Sequence, residues 1–179
     1  AGKFPAILSD KVVGVEATRL HNDALKMLDR FVKEQWLQAH GVAAIWPANA
    51  VDDDDIELYA DGSRSKVIGR FQTMRQQSKK APGVPYIALA DFVAPKGVPD
   101  FIGGFAVTTG HGVDERVKRL EEKQDDYSAI LLKALADRLA EAFAEKLHQE
   151  VRKEIWGYAS HEDLDNDALI KEAYDGIRP

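Results

Sequence analysis

Cysteine is absent from the 179 residues. That removes disulfides, thiolate metal sites and cysteine nucleophiles from the chain, and it is compatible with a reducing cytoplasm, the expected location. Positive charge is in deficit, with a formal net charge of -6, so counterion-release binding to nucleic acid is not expected. Long apolar runs are missing too: none reaches the length of a membrane span, and no charged-then-apolar leader opens the chain. No glycine-rich phosphate loop follows a strand pattern, and Gly103-Gly104 lacks dinucleotide-fingerprint spacing. Internal repeats and low-complexity linkers are lacking, as is any set of nucleophile, base and orienting group.

What is present reads as one domain body. Apolar residues at 45% and charged residues at 30% describe a globular chain and not a disordered one. From Val12 to Gln38, Val13, Leu20, Ala24, Leu28, Phe31 and Val32 recur at helical spacing, with His40-Gly41 as the expected stop. Val42–Trp46 reads as a strand closed by Pro47, and Asp55–Tyr59 alternates as a half-buried strand does, with a turn at Asp61-Gly62. Lys66–Gln77 fits a strand running into a helical turn. Tyr86–Val93 and Phe101–Thr108 read as strands. Helical patterns then cover Asp114–Lys123, Asp125–Gly157 and Asp165–Tyr174. In the longest, Ile130, Leu131, Ala134, Leu135, Leu139, Phe143, Leu147, Val151 and Ile155 form the stripe. The last is capped by Asp165 or Asn166 and ended by Gly176. Strands early and a dominant helix late predict an α+β arrangement.

The side chains alone name no chemistry. His21, His40, His111, His148 and His161 are scattered and read as surface or cap residues, with no metal site expected. Asp52–Asp55 reads as a solvated turn, since it lacks the glycine and final glutamate of a calcium loop. Asp91 stands among apolar residues of an expected strand, where a carboxylate must be hydrogen-bonded or paired, as a structural acceptor or as part of a site. Glu141 reads as a solvated helix glutamate, and Arg178 as part of a terminal tail.

Ordered segments carry a resemblance. Ala1–Pro5, Asp54–Tyr59, Leu89–Lys96, Ile102–Thr108, Asp125-Asp126-Tyr127, Lys133–Glu145, Val151–Tyr158 and Gly176–Pro179 together resemble the activation domain of cobalamin-dependent methionine synthase over essentially the whole chain. The resemblance implies a bent antiparallel sheet flanked by helices in a C-shaped α+β module. It also implies that residues 1–179 are a partial S-adenosylmethionine-binding domain, incomplete at both ends and truncated within its C-terminal ligand motif, and that Ala1–Pro5 follows a cut inside a larger protein. The family's enzyme is a methyltransferase acting on methyltetrahydrofolate and homocysteine in methionine biosynthesis. Its module binds S-adenosylmethionine so that inactive cob(II)alamin can be reductively methylated. Cobalamin and zinc are then held by other domains. The implied partners are the cobalamin-binding domain and flavodoxin or a flavoprotein reductase, with neither nucleic acid nor membrane.

The same resemblance implies the site. Arg178 matches the arginine opening the family's R-P-x-P-G-Y motif and would contact the methionine part of the ligand. Glu141 matches a helix glutamate near the ligand's amino group, and Glu172 lies close to the same motif. An aspartate before Ala1 and a tyrosine after Pro179 would complete the set. A guanidinium fork suits the ligand's carboxylate and acidic groups suit its ammonium. The sulfonium already activates the methyl, so no catalytic base is expected and the fragment alone is expected to be inactive. The alternative is a non-catalytic docking module for a cobalamin-binding or flavodoxin-type partner.

Overall fold

The computed structural model of the chain describes residues 3–176. Near its start the Asp10 carboxylate accepts the N–H groups of Val12 at 2.8 Å and Val13 at 3.0 Å, and helix α1, Gly14–Lys33, follows. It stops well before His40-Gly41. Gln35 adopts the left-handed conformation, φ 49°. The Trp36 N–H then reaches back to the Phe31 carbonyl at 3.1 Å, and the two rings pack with centroids 5.7 Å apart. This is a Schellman-type stop with its apolar contact, made without glycine. Met27 and Phe31 are buried, with Ala24 and Leu28 against them. Val13, Leu20 and Val32 of the expected stripe are exposed.

His40 and Gly41 therefore lie in a strand, β1, Gln38–Val51. Pro47 does not close it. The register shared with the next strand begins at Ala48, so Pro47 stands one residue outside that ladder. Strands β2, Asp55–Tyr59, and β3, Val67–Gln72, follow, then β4, Asp100–His111. β1 pairs antiparallel with β2, and β2 with β3, in the order β3-β2-β1-β4. Asp52 and Asp53 turn the β1–β2 hairpin with φ of 49° and 66°, the solvated turn expected of the acidic run. No helical turn follows β3.

Tyr86–Val93 is not a strand. Leu89–Phe92 forms a 3-10 turn. The Asp91 carboxylate accepts the Ala88 N–H at 2.9 Å, a local bond that competes with a strand ladder. Asp91 is also not buried. It pairs with Arg75 at 2.7 Å, which makes it a structural acceptor.

Helix α2, Val113–Glu121, leads into α3, Asp126–Glu150. Gln124, φ 58°, separates them, and Asp125 caps α3 by accepting the Ser128 N–H at 3.1 Å. On α3, Leu131, Leu132, Ala136 and Leu147 are buried, whereas Ile130 of the expected stripe is exposed. α3 runs into a π-helical turn, Val151–Ile155. The last helix, α4, is only Asn166–Ile170, capped by Asp165 through the Ala168 N–H. It ends at a left-handed Glu172, φ 57°, and not at Gly176.

The elements make the α+β class expected from their order. Ala1–Gly41 with Ala106–Pro179 form one compact unit and Val42–Phe105 another. The first unit's core gathers Met27, Phe31, Trp36, Val117, Leu132 and Ala136. The second's is smaller: Ala48, Ile56, Leu58 and Ala90.

Candidate functional site

Arginine at position 152 falls on the buried face of the α3 extension, one helical turn after His148. Its side chain is 1% exposed and that of its partner Glu162 6%. A charge this deep is stable only when paired and hydrogen-bonded, and here it is. Nε donates to Glu162 Oε2 at 2.8 Å and Nη2 to Oε1 at 2.7 Å, a bidentate fork. Nη1 lies 2.6 Å from His148 Nδ1. A guanidinium has no acceptor, so Nδ1 accepts and the imidazole is neutral. Burial, then the Arg152 charge, depress the His148 pKa, which agrees. Arg152 in turn holds the Glu162 carboxyl below its ordinary range.

The chain returns to this cluster twice. After the π turn, the Ala159 N–H donates to the Arg152 carbonyl at 2.9 Å and the Glu162 N–H to the Ala159 carbonyl at 2.9 Å, which brings Glu162 back beneath the guanidinium. Beyond α4, Tyr174 places its ring 4.2 Å from the Arg152 guanidinium carbon and edge-on to His148. The Tyr158 hydroxyl donates to the Asp175 carbonyl at 3.3 Å. A Cβ on Gly176 would come within 2.8 Å of that hydroxyl, and Gly176 sits at φ 118°. Only glycine suits that position.

Of the residues anticipated for ligand binding, Glu141 lies on α3 with its side chain 63% exposed, paired to Arg138 at 2.8 Å. It is roughly three turns before Arg152. Glu172 is exposed and sits in the left-handed position closing α4. There the Ala173 N–H returns to the Ala168 carbonyl at 3.0 Å and the Glu172 N–H to Leu169 at 2.9 Å. Arg178 lies outside the described residues. Glu172 thus shares a segment with the cluster partner Tyr174, while Glu141 stands apart along the helix.

A cavity of about 620 Å³ opens between α1, α3 and the strand ends, lined by Phe31, Val32, Thr109, Leu139, Ala142 and Phe143 among others. Its walls are mainly apolar, and Glu141 is not among them. Among the described residues no three His, Asp or Glu side chains are grouped to hold a metal ion. No helix there is long and apolar enough to cross a membrane.

The family model for the activation domain of vitamin B12 dependent methionine synthase matches residues 1–179. The chain belongs to that family. The solved structures include a crystal structure of the MetH reactivation domain bound to AdoHcy, 54% identical in sequence, with a TM-score of 0.92. The match covers 100% of this chain and 55% of that one, so this activation domain spans about half the length of its solved relative.

The buried group of His148, Arg152, Glu162 and Tyr174 escaped the sequence reading. His148 read as a surface or cap histidine, yet it is 7% exposed. The signal was there. Leu147, His148, Val151 and Arg152 share one helical face by spacing, and an arginine at a core position demands a carboxylate. Which carboxylate could not be read, because Glu162 arrives across a loop.

Proposed function

We propose that this activation domain binds S-adenosylmethionine through Arg178, Glu141 and Glu172 and serves reductive reactivation within a methionine synthase. The observation that carries the reading is the likeness to a reactivation domain bound to AdoHcy; AdoHcy is S-adenosylmethionine less its methyl group. The residues suit the ligand. Arg178 supplies a fork for the carboxylate. Glu141 is held only by an exposed ion pair with Arg138, worth at most about 1 kcal/mol, so an incoming ammonium can displace that partner. Glu172 offers a second, exposed carboxylate.

The domain's task is positioning. It holds the zwitterionic end of the ligand so that the sulfonium methyl faces outward, and it needs no base of its own. Cobalamin, when bound, supplies the methyl acceptor. His148 is engaged with Arg152 and His40 stands edge-on to His111 at 4.8 Å between ring centroids; we assign the corrin, and zinc likewise, to other domains of the same enzyme on the family likeness. Residues 1–179 are read as part of one such module, active only as part of the methyltransferase. It works in the cytoplasm against the cobalamin-binding domain, with flavodoxin or a related flavoprotein delivering the electron.

Calorimetric titration of S-adenosylmethionine into the full-length protein tests this. Arg178→Ala should weaken binding at least about tenfold, the loss of a charge-assisted fork. Unchanged affinity removes Arg178 from the site. A wild-type protein that binds nothing overturns the ligand assignment and favours a docking module.

A further inference from the structure

We infer that Arg152 is a positioning residue for S-adenosylmethionine binding, its buried pair with Glu162 fixing the chain as far as Gly176, two residues ahead of Arg178 in sequence. The inference rests on the ligand reading proposed above. Arg152 and Glu162 are too deeply buried to meet a ligand themselves.

A buried ion pair is a poor way to gain stability. Apolar residues of the same volume serve as well or better, because both charges must leave water. What the fork does supply is direction. Two parallel hydrogen bonds hold Glu162 in a single register, whereas an apolar contact tolerates sliding. Three further ties lie between that fork and Arg178. Tyr174 stacks on the guanidinium, Tyr158 holds the Asp175 carbonyl, and Gly176 fits against the same phenol with no room for a side chain. Arg178 is two residues further on. The Glu172 backbone, between Glu162 and Tyr174, is held in the same stretch. The guanidinium also stands on a π turn, Val151–Ile155, where the Trp156 N–H bonds the Val151 carbonyl at 2.9 Å. Such turns are rare and recur at functional sites. The described chain is thus tied as far as Gly176, and the rigidity of that stretch should be felt in ligand affinity.

The test is a double-mutant cycle in the full-length protein, read by titration with S-adenosylmethionine. One arm is Glu162→Gln. The other is the apolar pair Arg152→Met with Glu162→Leu, which leaves no buried charge unpaired and keeps the experiment readable if the first variant fails to fold. Each is combined with Arg178→Lys, which retains charge and loses the fork. Where Arg178 is intact we expect a loss of about tenfold, within the usual range of coupling between sites. In the Arg178→Lys background the same changes should cost less than about twofold. An equal loss in both backgrounds, or no loss in a folded variant, overturns the positioning role. Failure of the unmutated protein to bind would instead overturn the ligand reading itself.

Discussion

Arg75 gathers three chain segments. It donates to Asp54 at 2.7 Å, to both oxygens of Asp91 and to the Tyr86 carbonyl at 2.6 Å. The guanidinium, followed by the Ala88 N–H, pulls the Asp91 pKa from 3.8 to about 2. Between those two values the unfolded chain binds the proton and the folded chain does not, so stability rises with pH across that window. The contribution is whole above pH 3.8 and disappears as pH falls through about 2. Melting temperatures recorded in steps from pH 5 to about 2 should show this decline, and Asp91→Asn should make it shallower, the remainder coming from other carboxylates held low such as Glu57 and Glu162. A variant that keeps the wild-type slope would remove Asp91 as its source.

Helix ends follow a shared rule. α1, α2 and α4 all close on a left-handed residue that is not glycine: Gln35, Gln124 and Glu172. At the second of these the Asp125 N–H returns to Leu120 at 3.0 Å and the Gln124 N–H to Glu121 at 2.9 Å, the two bonds of a Schellman motif. A side chain in that conformation costs about 1 kcal/mol. Gln124→Gly should therefore raise unfolding stability by about 1 kcal/mol, seen as a higher urea midpoint at unchanged slope. A lower midpoint would show that the glutamine side chain contributes more than its backbone strain costs. The same habit explains where sequence reading succeeded and failed. Periodicity found every long helix and the β2 strand, because those patterns are local. The glycines at His40-Gly41 and Gly176 predict later stops than Gln35 and Glu172 impose, so α1 and α4 are shorter than the sequence pattern suggests. Tyr86–Val93 looked like a strand because β-propensity does not register a side chain, here Asp91, that bonds its own backbone. For the proposed site, Glu141, Glu172 and Arg178 rest on family resemblance, since their spacing alone is ordinary. The spacing of Arg152 from Leu147, His148 and Val151 carries a signal of burial that the sequence analysis does not use, and nothing local marks Glu162 as its partner.

Across the whole molecule the two compact units differ in core. Among the described residues, nine buried ones cluster in the first and four in the second. Fewer apolar contacts mean cheaper opening, so amides of β2 and β3 should exchange hydrogen faster than those in the middle of α3. Mass-resolved exchange would check this, and the opposite order would mean that the smaller core is held by more than its own contacts. The π turn reaches further along the chain than its five residues suggest. Excising Lys153 would let ordinary helical bonding run on unbroken and would leave His148 and Arg152 side by side. Everything downstream would swing by roughly 100° about the axis, and Glu162 would return on the wrong side of the helix. Exchanges of side chain at Lys153 should be forgiven. A change of length there should not, and insertions or deletions in this stretch ought to be rarer among working variants than substitutions.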